Sequence, residues 1–308
     1  MILCCGEALI DMLPRTAISG ESAFAPHPGG AVFNTAVALG RLGTPAGFFS
    51  GISTDFLGQM LDHQLAASGV DTALAVRSPR PTTLAFVRLV AEQARYDFYD
   101  EGTAGRMLST ADLPTLPAEI RALFFGGISL VAEPCGSAYE ALILGAAPHC
   151  VTMIDPNIRP GFITDLPAYR ARLDRMIAAA DIVKLSDEDL NWLEGPGELI
   201  SAAQALLARG PKLVLVTEGA CGAHALTHAH HVFSPAQKVV VADTVGAGDT
   251  FNAGVLTALH RDGCLTKTAL AAPDPATLQA ALALGNAAAA ITVSRPGANP
   301  PWAKELPR

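Results

Sequence analysis

The sequence predicts an α/β fold in which helices cover both faces of a mainly parallel β-sheet. Short apolar runs rich in β-forming residues alternate with helical patterns along nearly the whole chain. Several of these runs end in polar residues, as strands do at the ligand-binding edge of such a sheet. A glycine-rich turn at residues 246–248 opens directly onto a helical pattern. Half of the 308 residues are hydrophobic, which is ample for a large core, and we expect a single domain over 1–308.

The order of the elements follows from their patterns. Apolar runs, of which 82–90 is the richest in β-formers, predict strands. Residues 32, 36, 39 and 43 recur at helical spacing, and Gly43 is a good helix terminator. The predicted strands are 1–5, 46–53, 82–90, 95–99, 123–127, 151–160, 212–216 and 239–242. The predicted helices are 32–43, 55–68, 137–147, 251–259 and 275–291.

The amino-acid composition limits the classes of partner and the cellular compartment that we expect for this chain. The net charge is −8 and no basic run or stripe is present, so we expect no nucleic-acid partner. The six cysteines form no C-x-x-C pair, which is typical of free thiols in a reducing compartment. Glu7 and Asp11 interrupt the short apolar start, and the alanine-rich run near residue 287 is too short to span a membrane. We therefore expect a cytoplasmic protein with no membrane partner.

The turn at residues 246–248 carries the main chemical signal. The amides of Ala247, Gly248 and Asp249 are expected to point at one spot, where the helix dipole favours an anion. A carboxylate beside an anion site is electrostatically unfavourable. Its presence there indicates a chemical role, for example as the base for attack on a phosphoryl centre. The purely structural alternatives are a helix N-cap at Asp249 and a tight turn at Gly246 and Gly248. The stretch matches neither a P-loop nor a complete dinucleotide fingerprint.

Polar residues collect at predicted strand ends. Asp11 follows the first strand, and Asn157 and Arg159 follow the strand that begins at residue 151. Ligands of open α/β sheets gather at this edge. Asn34, in the first turns of the helix after Gly30, can both donate and accept hydrogen bonds. Each of these residues also has a structural alternative, as a turn residue, a cap or a satisfied buried amide.

The stretch 243–254, Asp-Thr-Val-Gly-Ala-Gly-Asp-Thr-Phe-Asn-Ala-Gly, is very similar to the C-terminal signature of the PfkB, or ribokinase-like, carbohydrate kinases. The stretch 28–43 resembles the first signature of that family, and the resemblance spans about residues 1–302. It implies the ribokinase-like three-layer fold with a small β-strand lid, formed roughly by 9–27 and 80–106. It also implies a homodimer that pairs through this lid.

The resemblance implies a role for each site residue. Asp249 would be the catalytic base, and the turn with Arg159 would stabilise the transferred phosphate. The residues implied for this catalytic group are Asp249, Gly246, Ala247, Gly248 and Arg159. The residues implied for sugar binding are Asp11, Gly29, Gly30, Asn34, Phe98, Asp100, Arg159 and Asp249.

The resemblance also implies ATP and Mg²⁺, with K⁺ as a further cation. The residues implied for the nucleotide are Ser186, Thr217, Gly219, Gly222, Gly248 and Asn286. Where the family usually has Asn-x-x-Glu this chain has Ser186 and Asp189, so either Asp189 or Glu188 would order Mg²⁺ through water. The residues implied for a monovalent cation are Asp243, Val245, Val293 and Gly297.

The substrate implied by the resemblance is D-fructose, phosphorylated by ATP at a primary hydroxyl to fructose 6-phosphate. Sugar-acid kinases of the family carry an arginine where this chain has Asp100, and an acid there should repel a carboxylate. Arg88, Arg95 or Arg106 could supply the missing positive charge instead. The alternatives are therefore a 2-keto-3-deoxygluconate kinase, a ribose or nucleoside kinase, and a non-catalytic sugar or nucleotide sensor.

Overall fold

The computed structural model describes residues 1–90 and 93–306. Its strands are β1 (Ile2–Cys5), β2 (Leu9–Thr16), β3 (Ser22–Gly29), β4 (Ala46–Phe49), β5 (Gly51–Ser53), β6 (Val70–Asp71), β7 (Val76–Ser78), β8 (Leu84–Val90), β9 (Gln93–Tyr99), β10 (Ala122–Gly126), β11 (Val151–Asp155), β12 (Ile182–Ser186), β13 (Leu213–Thr217), β14 (Gly222–Leu226) and β15 (His231–Pro235). Its α-helices are α1 (Ala31–Arg41), α2 (Phe56–Ala67), α3 (Cys135–Ala146), α4 (Leu166–Ala179), α5 (Asp187–Glu194), α6 (Leu199–Leu207), α7 (Ala247–Arg261), α8 (Lys267–Leu270) and α9 (Pro275–Val293).

A nine-stranded sheet forms the centre of the protein, in the order β15-β14-β13-β12-β11-β10-β1-β4-β6. Its strands pair in parallel from β6 to β13, and β14 and β15 continue it antiparallel. The expectation of a mainly parallel sheet is confirmed.

Helices cover both faces of this sheet. Alternate residues of β1 show the division, because Ile2 and Cys4 belong to one buried apolar cluster and Leu3 and Cys5 to another. The first cluster includes buried residues of α1, α7 and α9, and the second includes those of α3, α4 and α6. The two clusters form the outer interfaces of the three-layer architecture that the sequence predicts.

A separate four-stranded sheet, in the order β3-β2-β8-β9, has the form of the predicted lid. In its register Asp11 of β2 lies opposite Ala85 of β8, which in turn lies opposite Phe98 of β9. Because opposite residues share a face, Asp11 and Phe98 project to the same side of this small sheet.

The predicted strand at 239–242 is wrong. Val239, Val240 and Val241 are exposed, and no strand contains them. The central sheet ends at β15, and this apolar run pairs with none of its strands. The amide of Ala242 instead donates to the carbonyl of Val293, at 2.8 Å.

Helix α9 is long and apolar enough to cross a membrane by length and composition alone, and it is the one such helix in residues 1–90 and 93–306. Half of its apolar stretch is buried, and it packs against α7 and β15. A core helix of an α/β fold reaches the same composition, and we interpret α9 as one.

Two glycines set the distance between α7 and α9. A Cβ at Gly254 would lie 2.7 Å from the Cα of Gly285, which is closer than real Cβ contacts. We therefore expect Gly254→Ala to force the helices apart and to lower the free energy of unfolding by about 1–3 kcal/mol.

Urea unfolding measures this effect. The matched control is Gly145→Ala, near the exposed end of α3, where a Cβ would meet nothing within 4 Å. That substitution should leave stability unchanged or raise it by about 0.5–1 kcal/mol. Equal unfolding midpoints for the two variants would contradict the close approach of α7 and α9.

Candidate active site

A cavity of about 640 Å³ lies between the lid and the carboxyl ends of β1, β11, β12 and β13. Most of the site residues predicted from the sequence line it. These are Asp11, Gly30, Asn34, Phe98, Arg159, Ser186, Glu188, Asp189, Thr217, Gly219, Val245, Gly246, Ala247, Gly248 and Asp249. The edge of the sheet at which they gather is the one where ligands of open α/β sheets bind.

The glycine-rich turn forms the N-terminus of α7. Gly246 is the N-cap, in the left-handed region at φ 78°, and it packs so closely on Ala298 that a Cβ would lie 2.8 Å from that side chain. Asp249 lies at the third helical position, so the N-cap alternative for Asp249 is wrong. The first amides of α7 have no partner within the helix, and this end of the macrodipole attracts anions.

Asp249 is a buried carboxyl at the wall of the cavity, with 7% of its surface exposed. Its Oδ2 accepts a hydrogen bond from Asn34 Nδ2 at 2.9 Å. Burial raises the pKa of Asp249 to about 7, while the Asn34 hydrogen bond acts in the opposite direction. A carboxyl with this pKa exchanges protons readily at neutral pH, which suits a general base.

Helix α1 brings Asn34 to Asp249. Its N-cap is Gly30, at φ 109°, and its first amide, of Ala31, donates to Glu7 Oε1 at 2.9 Å. Thr35 adds a second link, because its hydroxyl lies 3.2 Å from the carbonyl of Asp249. The site therefore depends on the junction between the N-terminal ends of α1 and α7.

Sequence reasoning missed the role of Glu7. Its buried carboxylate also accepts from the amide of Ser129, at 3.3 Å, and burial raises its pKa. Gly30 and Gly127 both approach Glu7 so closely that a side chain on either would collide with it. The sequence did carry one signal for this role, an acid that lies next to a glycine at the end of the first buried strand.

The lid contributes Asp11, Tyr96 and Phe98 to the cavity. Burial raises the pKa of Asp11 to about 6. Gly29 is not in the lining, but it seats Asp11, because a Cβ there would lie 2.2 Å from Asp11 Oδ2. Phe98 packs edge-on against Phe162, with the ring centroids 4.9 Å apart.

The loop after β11 brings Arg159 to the rim of the cavity. Asn157 adopts φ 44°, a left-handed conformation that asparagine tolerates, and turns the chain. The Arg159 side chain is exposed and bonds only the neighbouring carbonyl of Ile158 among the described residues. It is therefore free to swing toward an anion in the cavity.

Ser186 and Asp189 form a capping box at the start of α5. Asp189 Oδ1 also accepts from the amide of Ile158 at 3.0 Å, so this carboxylate fastens the loop after β11 to α5. Glu188 is exposed at the edge of the cavity and has no ion-pair partner in the described part of the chain. Glu188 is thus the better placed of the two acids to reach a bound cation.

Seven expected site residues lie outside the cavity lining, namely Gly29, Asp100, Gly222, Asn286, Asp243, Val293 and Gly297. Asp100 pairs with Arg106 at 2.9 Å, so its negative charge is neutralised rather than presented to a substrate. Asn286 donates to the carbonyls of Ser234 and Pro235, at 2.9 and 3.2 Å, and ties α9 to β15. Gly222 is required by packing, because at φ 138° a Cβ would meet the Ser234 carbonyl at 2.3 Å.

Two of the other arginines considered for the substrate, Arg88 and Arg106, do not line the cavity. Arg88 pairs with Asp97 on the exposed side of the lid. Arg106 is held by Asp100, and the side chain of Arg95 lies outside the described residues. Among the described side chains, the cations that line the cavity are Arg159 and Lys184.

The segments expected to hold a monovalent cation lie side by side. Asp243 Oδ2 accepts from the amide of Gly297 at 2.9 Å, and Asp243 Oδ1 accepts from Val245 at 3.0 Å. The carbonyl of Val293 already accepts from the amides of Ala242 and Asp243. That carbonyl therefore fits a cation ligand poorly, whereas the juxtaposition of the two segments beside α7 fits the expectation.

The chain is similar to known carbohydrate kinases over nearly its whole length. The model of the pfkB family carbohydrate kinases matches residues 1–305. A fructokinase of Rhizobium leguminosarum bv. trifolii is 55% identical over 279 residues, which are 91% of this chain and 86% of the relative.

Two solved structures share the fold over nearly the whole chain. A fructokinase from Xylella fastidiosa with bound ATP has a TM-score of 0.86 and 29% identity, covering 96% of this chain and 93% of that chain. A double mutant of the fructokinase from Vibrio cholerae O395, bound to fructose, ADP and potassium ion, has a TM-score of 0.84 and 26% identity, with the same coverage. The match of the family model over almost every residue shows that this chain belongs to the pfkB family of carbohydrate kinases.

Proposed function

We propose that this protein is an ATP-dependent sugar kinase that converts D-fructose to fructose 6-phosphate. The observation that carries the proposal is the buried carboxyl of Asp249 at the N-terminus of α7, facing a cavity beneath the lid. A base and an anion-binding helix end then meet at one point. The 55% identity to a fructokinase supports fructose as the sugar.

The sugar end of the cavity favours a neutral polyol. Glu7, Asp11 and Asp249 line it with buried or partly buried carboxyl groups. Such groups accept hydrogen bonds from hydroxyls and repel a carboxylate. The discrimination against sugar acids, first assigned to Asp100, is better assigned to these three residues, because Asp100 is neutralised by Arg106. Phe98 offers an apolar face to the carbons of the sugar.

The transfer step needs a base and charge stabilisation. The oxygen of the primary hydroxyl forms a bond to the γ-phosphorus of ATP, and the bond from that phosphorus to the β–γ bridging oxygen breaks. The proton of the hydroxyl passes to Asp249, late in the step because a hydroxyl is far less acidic than a carboxyl. The amides of Ala247, Gly248 and Asp249, with Arg159, stabilise the charge on the transferred group.

The nucleotide end of the cavity is lined by Ser186, Thr217 and Gly219, and we propose that ATP lies along them. Glu188 suits Mg²⁺, which binds through one or two carboxylates, substrate phosphates and water. When bound, Mg²⁺ neutralises phosphate charge. We further propose that K⁺ binds beside α7, between the segment from Asp243 to Val245 and the loop at Gly297.

Four wider expectations stay predictions. They are a single domain over 1–308, a homodimer that pairs through the lid, a cytoplasmic location and the absence of nucleic-acid and membrane partners. The described residues include no group of three or more His, Cys, Asp or Glu side chains arranged to hold a metal ion. A metal held chiefly by ATP and water agrees with that arrangement.

A substrate panel tests the proposed function. ATP consumption is measured with Mg²⁺ and K⁺ for fructose, 2-keto-3-deoxygluconate, ribose and adenosine. We expect the highest kcat/KM for fructose. Turnover of only the sugar acid would overturn the role given to the three carboxyls. ATP binding without turnover of any of these compounds would favour a sensor.

Replacing the base should stop the reaction but not nucleotide binding. We expect Asp249→Asn to lower kcat by about 10²–10⁴-fold, because the amide cannot accept the proton. The matched control is Asp262→Asn, at the exposed C-terminal end of the same helix, which should keep the kcat of the wild type. Near-normal turnover by Asp249→Asn would remove Asp249 as the base.

The pH profile should report the titration of Asp249. The base acts only when deprotonated, so we expect kcat/KM to fall about tenfold per unit as the pH drops below about 7. The Asn34 hydrogen bond holds this pKa down, and Asn34→Ala should therefore move the acid limb to higher pH. An acid limb near the ordinary aspartate value of about 4, in both proteins, would contradict the assignment.

A further inference from the structure

Lys184 is a buried cation in the centre of the main sheet. It lies on β12, its side chain is 6% exposed, and its neighbours Val183 and Leu185 belong to an apolar cluster. A lysine in such a place carries a large desolvation cost. Replacement of a buried ion pair by apolar residues is often neutral or stabilising, so stability alone does not account for this lysine.

Asp155 holds the ammonium group of Lys184 in place, and Asn252 in turn holds Asp155. Lys184 Nζ lies 3.0 Å from Asp155 Oδ2 at the end of β11. The same oxygen accepts from Asn252 Nδ2 of α7 at 2.7 Å. Asp155 is thus fixed from two sides, by the sheet and by the helix that carries the anion-binding turn. The lysine that it holds is fixed with it.

The ammonium group lies against that turn. A Cβ placed on Gly248 would be 3.0 Å from Lys184 Nζ, and Lys184 lines the same cavity as Gly248 and Asp249. An ammonium has three N–H donors, and Asp155 is the one hydrogen-bond partner that the described residues give it. The remaining donors lie where the turn would bind an anion.

The structure assigns to Lys184 a catalytic contact with the phosphoryl group that is transferred, and this assignment rests on the proposed function. The turn supplies neutral amides and Arg159 lies at the exposed rim, so Lys184 is the buried full positive charge at this point. A fixed cation in a site of low dielectric stabilises developing negative charge without reorganisation. The Asp155–Lys184 pair keeps that charge in place before the substrate arrives.

Lys184 acts on Asp249 as well. Its positive charge opposes the rise in the pKa of Asp249 that burial causes. Removal of the charge should therefore raise that pKa further. Asp155 raises the same pKa, so the pH profile reports the lysine only in the variant that keeps Asp155. A merely structural ion pair would change stability and leave the kcat of the folded variants in place, so kcat separates the two roles.

Three variants test the assignment. Lys184→Met removes the cation but leaves Asp155 buried, with hydrogen bonds only from Asn252 Nδ2 and the amide of Asn157 among the described residues. The double variant Lys184→Met with Asp155→Asn removes both charges and the unpaired carboxylate, which should restore any stability that Lys184→Met loses. Asp155→Asn alone keeps the cation. Urea unfolding of each protein shows whether it is folded.

We expect Lys184→Met and the double variant to lower kcat by about 10²–10³-fold, as loss of one charge-stabilising donor does. Lys184→Met should also move the acid limb of kcat/KM to higher pH, whereas in the double variant the loss of Asp155, which raises the pKa of Asp249, offsets this movement. Asp155→Asn should retain more activity than either. A folded double variant that turns over within threefold of the wild type would overturn the assignment.

A binding experiment separates this proposal from the choice of sugar. Calorimetry with Mg²⁺ compares a non-hydrolysable ATP analogue with ADP, which lacks the transferred phosphoryl group. We expect Lys184→Met to weaken binding of the ATP analogue at least tenfold more than binding of ADP. Equal weakening of the two would overturn the role of Lys184. If the wild-type protein did not phosphorylate fructose, the proposed function would be overturned. The difference between the weakening of ATP-analogue binding and that of ADP binding would still decide the role of Lys184.

Discussion

The burial of the Asp249 carboxyl at the N-terminus of α7 is the constraint on which the rest of the site depends. A carboxylate loses hydration when it is buried, and this loss raises its pKa to about 7. The helix dipole and the Asn34 hydrogen bond act against that rise. The balance leaves a group that is stable in either protonation state near neutrality. A base for phosphoryl transfer needs this property, and only a packed junction of α1 and α7 supplies it.

Glu7 fixes that junction from the first strand. Its carboxylate accepts from the first amide of α1 and from the amide of Ser129, after β10. Gly30 and Gly127 adopt positive φ and approach Glu7 too closely for side chains. One buried acid therefore fixes both the start of α1 and the turn after β10. The position of Asn34, four residues into α1, follows from the same anchor.

Local pattern predicted most of the fold and the anion-binding turn, because helix period, strand alternation and glycine spacing act over short stretches. The pairing of Asn34 with Asp249, 215 residues apart, required tertiary structure, as did the seat of Asp11 on Gly29. The sequence also could not show that Arg106 neutralises Asp100. Lys184 gave no signal, since a lysine within an apolar run usually lies at a surface. The run at 239–242 has strand composition, but it pairs with no strand, and the amide of Ala242 bonds the carbonyl of Val293 instead.

The distribution of charge along the cavity determines which end suits the sugar and which end suits the phosphates. At the sugar end, Glu7, Asp11 and Asp249 bring three carboxyl groups together, and burial raises the pKa of each. Hydroxyls can donate to these groups, while an anion gains nothing there. At the other end, the first amides of α7, Lys184 and the exposed Arg159 favour phosphate. The boundary between the two ends is the turn at residues 246–249. A hydroxyl and a phosphoryl group that each occupy the end suited to their charge must therefore meet at Asp249.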